Sequence, residues 1–459
     1  NNVFTLGVKM NLAYVTSESQ QGAGTDAVQA SASMMTSILT YRPFSTVGPD
    51  DDMDDTEEED ATSYSGPDRW LKYAKTTNTQ IRLTPTMFAV FNILKGLSVT
   101  SKLGGDYRSS ERTQWKGREV SRSTGAIAGV ADDIKYRWTW DNTANYNNSF
   151  GMHYVNAMAG FSLGQDYSET HNARATNVLD ENLQVGNINS AYNATFHYSE
   201  VLNSRVSAFV RGVYSFADRY VLTATYRLDG SSKFLGKNRF SGFPSAAVSW
   251  YVSKEPWFLV PAISTLKLRF GWGRVGKSSV SAYQTMDVYD SNKYGNHFNE
   301  SGYVSGIYLG NFSNEDLKWE TTEQLNLGLD YAMFKGRLTL SADVYTKTTY
   351  DLLQSRKVPY LSGYATRWVN QGTINNRGIE LSLEAVPVAL KNFEWILSGN
   401  FSINRNKIVD LGFGMDTSPI YMEEGIESQY RYYLGSNVAS STYSRNPANI
   451  FIEGMPVGL

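Results

Sequence analysis

The densest chemical signal in the sequence is GPDDDMDDTEEED at residues 48–60. Nine of eleven consecutive side chains there are carboxylates: Asp50, Asp51, Asp52, Asp54, Asp55, Glu57, Glu58, Glu59 and Asp60. Three chemistries fit such a run. Like charges repel, so it can be a solvated loop. Carboxylates bind hard cations, yet the run lacks the D-x-[DN]-x-[DN]-G spacing and bidentate Glu of a calcium loop. A dense anionic patch also draws peptide amino termini and Lys or Arg side chains, raising encounter rates. The residues themselves leave all three open.

Catalytic chemistry has little to work with. There is no cysteine, which excludes thiolate nucleophiles, thiolate metal sites and a disulfide framework. The four histidines (His153, His171, His197 and His297) stand in GMHYV, ETHNA, TFHYS and GNHFN, none beside a second ligand at metal spacing. No G-x-S-x-G or H-E-x-x-H occurs, and GGDYRS makes no phosphate cradle. We expect no enzyme activity, no cofactor and no metal. A formal net charge of −3 argues against a nucleic-acid partner, which would call for a basic patch.

A second set of charges is distributed differently. In TEQLNLGLDYAMFKGRLTLSADVYTKT (322–348), Leu325, Leu327, Leu329 and Tyr331 alternate with Gln324, Asn326, Gly328 and Asp330. After MFKG, Leu338, Leu340, Ala342 and Val344 alternate with Arg337, Thr339, Ser341 and Asp343. Period two is the mark of a strand, so this is a hairpin with one apolar and one polar face. Lys9, Lys102, Asp106, Arg211, Arg227, Asp229, Arg269, Asp330, Arg337, Asp343, Glu380 and Glu384 all fall on the polar side of such strands. Arg227, Asp229 and Arg269 join the acidic run as candidate substrate-binding residues.

The elements that hold these residues recur along the chain. Phe4 to Tyr14, Leu97 to Leu103, Val155 to Leu163, Tyr220 to Tyr226, Leu266 to Trp272, Ile379 to Ala385 and Trp395 to Phe401 repeat the alternation. About 14 such strands of roughly ten residues are expected, the length that crosses a bilayer at a tilt. Turns such as ILKG, SFGMH, FADR and MFKG are short. The other connections, 15–78, 108–135, 167–189, 273–316, 349–376 and 405–447, read as long loops. Short turns at one rim and long extracellular loops at the other describe an outer-membrane barrel. Tyr14, Tyr107, Trp138, Tyr220, Trp250, Tyr331 and Trp395 sit near strand ends, where a headgroup girdle belongs. Soluble β-sandwiches also alternate, but their strands average nearer six residues and their rims carry comparable loops. No window reaches 18 uninterrupted apolar residues, so no transmembrane helix is expected. The fold class read here is all-β, a transmembrane antiparallel β-barrel over residues 1–459. The apolar face meets lipid and the polar face lines a lumen, which points to transport or anchoring.

Several segments carry more than periodicity. They are DRYVLTATYRLDGSSKFLGKNRFSGFPSAAVSWYVSKEPWF (218–258), LKLRFGWGRVGK (266–277), NEDLKWETTEQLNLGLDY (314–331), DLLQ (351–354) and NQGTINNRGIELSLEA (370–385). In order and spacing they resemble the SusC-like branch of TonB-dependent outer-membrane transporters. The match is close over roughly 200–405 and looser over 79–165. The resemblance implies a barrel of about 22 strands with an N-terminal plug, in the outer membrane of a Gram-negative bacterium. It implies a SusD-like surface lipoprotein at the mouth and energy delivered through a TonB complex that contacts the plug region. Dimers of transporter–lipoprotein pairs are a further expectation it leaves open. The chain is expected to be part of that barrel, with the plug and the remaining strands absent from it. The acidic run resembles RagA-type oligopeptide importers more than glycan importers. The expected cargo is therefore oligopeptides, with oligosaccharides as the alternative and a passive porin or adhesin barrel as a more distant one.

Overall fold

The computed structural model describes residues 3–19, 67–121, 125–299, 302–410 and 412, and the short segments 417–421, 429–433, 450–452 and 455–457. Thirteen strands form a single sheet. In chain order they begin with β1 (Phe4–Ser19), β2 (Ala74–Leu94), β3 (Leu97–Lys116), β4 (Ile127–Phe150), β5 (His153–Val178) and β6 (Ala191–Phe216). β7 (Tyr220–Ser231), β8 (Phe240–Tyr251) and β9 (Ile263–Lys277) follow. The hairpin β10 (Tyr289–Asn299) and β11 (Gly302–Leu309) interrupts the sheet before β12 (Glu320–Met333) and β13 (Leu338–Tyr350). A second hairpin, β14 (Leu353–Lys357) and β15 (Thr366–Asn370), precedes β16 (Thr373–Leu390) and β17 (Phe393–Asp410). Each sheet strand pairs antiparallel with the next in the chain, an up-and-down meander.

Register keeps the two faces apart. Leu266, Leu268, Phe270 and Trp272 of β9 stand opposite Tyr331, Leu329, Leu327 and Leu325 of β12. Leu329 and Leu327 in turn oppose Ala342 and Val344 of β13. Leu327 is 59% exposed and Phe270 49%, although every strand around them is paired. Fully hydrogen-bonded backbone under an exposed apolar surface is the arrangement lipid demands. The described chain holds no helix long and apolar enough to cross a membrane.

The turns joining β2 to β3, β4 to β5, β6 to β7, β12 to β13 and β16 to β17 lie at one rim. The turn at 334–337 runs through three consecutive positive φ values: Phe334, Lys335 and Gly336 take 53°, 60° and 88°. It reaches one residue further than the alternation suggests. Arg337 has helical φ and ψ and lies in the turn, outside the wall face where the sequence put it.

Strand length differs across the sheet. β4, β5 and β6 run 24, 26 and 26 residues, whereas β7, β8, β12 and β13 run 12, 12, 14 and 13. Two connections expected to be long therefore shrink, 108–135 to residues 117–126 and 167–189 to residues 179–190. The strands continue there with polar residues on both faces, so apolar alternation stops while backbone pairing does not. About ten residues suffice to cross the bilayer, so β6, at 26 residues, carries on the order of 50 Å of strand beyond that length.

Candidate functional site

Aligned registers turn the polar face into rows running across the sheet. One row passes from Thr223 through Ala247, Gly271, Asn326, Tyr345 and Gly378 to Asn404. The next row towards the long-loop rim passes from Thr225 through Ser245, Gly273, Gln324, Lys347 and Asn376 to Asn406. Small residues at the centre of both rows leave a trough of about 620 Å³ over β7, β8, β9 and β12. A Cβ added at Gly271 would meet nothing within 4 Å, so glycine there keeps the trough floor low. A second hollow, of about 400 Å³, continues it over Gln324, Asn326, Lys347, Asn376, Glu380 and Asn404.

Arg227 and Asp229 line the upper wall of the trough, as the alternation of β7 requires. Arg227 Nε donates to both Asp229 oxygens at 2.7 and 2.9 Å, and its Nη2 donates to Ser207 Oγ at 2.9 Å. The guanidinium also lies over the Phe209 ring, 5.7 Å from its centroid. Both signs of charge are thus fixed in direction at the trough edge.

Arg269 sits one row below the trough floor. Its guanidinium donates to Asp330 at 2.9 and 3.0 Å and to Asp343 at 2.9 and 3.0 Å. Gly328 lies directly opposite Arg269, and a Cβ there would approach its Cζ to 2.6 Å. Glycine lets the guanidinium lie flat across three strands. Arg269, Asp330 and Asp343 therefore form a brace beneath the trough, with Ser341 Oγ also donating to Asp330.

At the short-turn rim, Glu255 is buried and accepts from Tyr220 Oη at 2.5 Å, Trp250 Nε1 at 2.9 Å and Arg219 Nη1 at 3.3 Å. The Tyr220 hydroxyl and Trp250 indole, with Arg219 behind them, hold its carboxyl below the usual glutamate range. No local pattern marks this clasp, because its partners come from two segments, Arg219–Tyr220 and Trp250, that only strand pairing brings to Glu255.

The structure brings Arg227 and Asp229 together and places Arg269 nearby in the brace. Asp50, Asp51, Asp52, Asp54, Asp55, Glu57, Glu58, Glu59 and Asp60 lie outside the described residues. Sequence reasoning missed Lys347 and the amides Asn376, Asn404 and Asn406. Strand parity was the available signal for them, since each falls on the polar face.

Residues 20–449 match the sequence profile of the family described as TonB dependent receptor-like, beta-barrel. A TonB-dependent receptor, P3, of Formosa agariphila is 36% identical over 338 residues, covering 72% of this chain and 33% of that protein. The TonB-dependent receptor SusC of Bacteroides thetaiotaomicron is 32% identical over 355 residues, 73% of this chain and 33% of its own length. The chain thus spans about a third of the length of the curated relatives it matches. Among solved structures, one of the RagAB peptide transporter superposes with a TM-score of 0.72 at 22% identity, covering 81% of this chain and 41% of that one. At that identity the likeness concerns the fold.

Proposed function

This chain belongs to the TonB-dependent receptor-like β-barrel family of the outer membrane, in its SusC-like branch, and from that premise we propose that it is part of the wall of an energised nutrient importer. The observation that carries the proposal is the lumen-face trough. It sets a fixed cation and anion, Arg227 and Asp229, beside rows of amides on a floor kept low by Gly271. That lining suits cargo carrying both charges and amide groups, which is the chemistry of an oligopeptide. The acidic run 50–60 adds a means of drawing in cationic peptides. The similar solved fold described as a peptide transporter points the same way. Capture would involve a SusD-like surface lipoprotein, with passage driven through TonB.

Oligosaccharide cargo is the second reading, favoured by Gln324, Asn326, Asn376 and Asn404, which could bond hydroxyls as well as peptide groups. Uptake of labelled peptides and labelled glycans by cells with the intact protein separates the two. The variant to compare replaces residues 50–60 with Gly and Ser. Peptide uptake that needs an energised inner membrane, and that drops in the variant most for cationic peptides, is the expected result. Entry of glycans alone overturns the peptide reading, and uptake without inner-membrane energy overturns the importer reading.

A further inference from the structure

Among the described residues, the long-loop half of β6 is a strand edge with no strand beside it. β7 pairs with β6 only as far as Arg205, opposite Ser231. Beyond that point the β5 side remains paired up to Ala191, while no described strand lies on the other side. The direction of the unpaired groups can be worked out. Ser204 donates its N–H to Ser232 Oγ at 2.9 Å and accepts the Ser232 N–H at 3.0 Å, both on the β7 side. Leu202 donates to Tyr283 Oη at 3.0 Å on that side too. Backbone groups of a strand alternate in direction. The N–H and C=O of Tyr192, Ala194, Phe196, Tyr198 and Glu200 therefore point to the open edge.

Nothing in the sequence blunts this edge. Residues 191–204, AYNATFHYSEVLNS, contain no Pro, Gly or Lys, the usual devices against strand addition. Residues 192–198 are exposed, on both faces of the strand. Tyr192 and Phe196 are each 81% exposed and share the outward face with Tyr198. The surrounding outward face is acidic. Glu169 and Glu200 stand directly opposite each other, and Glu111 and Asp132 do so in neighbouring strands. At these levels the outward positions of β3 to β6 hold no Lys or Arg.

We propose that β6 from Tyr192 to Glu200 is a strand-addition site for an extended segment of a partner protein that carries Lys or Arg at alternate positions. The added strand would pair with the open backbone groups. Its cations would meet Glu200 and Glu169, and its aliphatic stems would cover Phe196 and Tyr192. This stands apart from the transport reading, since it concerns the outer side of the wall and is read from backbone protection.

The test uses the intact protein in lipid nanodiscs and three ten-residue probes: alternating Val–Lys, alternating Val–Glu, and Val–Lys with every second amide N-methylated. Hydrogen exchange at residues 191–201 should slow with the first probe, with at least about tenfold weaker binding of the other two. Ala194→Pro removes one edge-facing N–H and leaves the β5 ladder intact, so it should abolish protection in a protein that still folds. Charge reversal, Glu169→Lys with Glu200→Lys, should transfer preference to the Val–Glu probe. Equal binding of the N-methylated probe would reduce the site to charge attraction and overturn strand addition. Amides already protected without any probe would show the edge covered within the protein or by lipid, and would also overturn it.

Discussion

The β4–β6 flank and the β7–β13 flank leave the same membrane and end in different ways. β7, β8, β12 and β13 stop soon after the apolar belt and are roofed by loops. Phe234, Val280 and Leu317 are buried there against Trp319, Leu353 and Trp368, and Asn314 donates to the Trp368 carbonyl at 2.8 Å. β4, β5 and β6 carry on as strands, closed at their far ends by the cluster of Trp115, Ala126, Ala128, Ala175 and Val178. One flank spends its sequence on a loop-borne apolar cluster, the other on height. The difference teaches that pairing alone sustains a strand in water, because the backbone ladder satisfies its polar groups whatever the side chains are.

Damage should therefore depend on flank and level. Leu327→Arg, on the lipid face of the short flank, should be the most damaging change. A charge at that depth costs about 2–4 kcal/mol, read by urea unfolding of the intact protein in lipid. Arg269→Met should follow. It takes the guanidinium from both Asp330 and Asp343 and leaves Asp330 only the more distant Lys267, at 3.9 Å, with a loss of about 1.5–3 kcal/mol for charged hydrogen bonds in a partly exposed brace. A smaller loss, about 1 kcal/mol, is expected for Gly328→Ala, because the guanidinium tip must lift off the wall; double-mutant analysis with Arg269→Met should show the two are not additive.

The Glu255 clasp adds a pH test. Its depressed carboxyl contributes stability above the ordinary glutamate value of 4.5, and that contribution is lost as pH falls below it. Glu255→Gln should flatten this acid limb, followed by unfolding midpoints between neutral and acidic pH. Smallest of all should be Phe196→Ser on the tall flank, within about 0.5 kcal/mol, since the ring is already in water. A loss at Phe196 equal to that at Leu327 would erase the contrast between the flanks.

The alternation of Leu325, Leu327 and Leu329 with Gln324, Asn326 and Asp330 was enough to read strands, faces and barrel class, because side-chain direction along a strand has a fixed period. It also put Arg227, Asp229 and Arg269 on the polar face, where they are found. Which of them share a site was not legible. Asp330 lies 61 residues from Arg269 and Asp343 lies 74 away, and only cross-strand register makes them neighbours. The same holds for the height of β6: Tyr192, Ala194, Phe196 and Tyr198 alternate with Asn193, Thr195, His197 and Ser199, yet how far that stretch stays paired depends on its β5 partners, Thr170 to Val178. Sequence by itself determined what each strand shows to lipid and to lumen. The tertiary structure decided which strands stand side by side and how far each pairs, because those depend on hydrogen bonds between segments that no local pattern records.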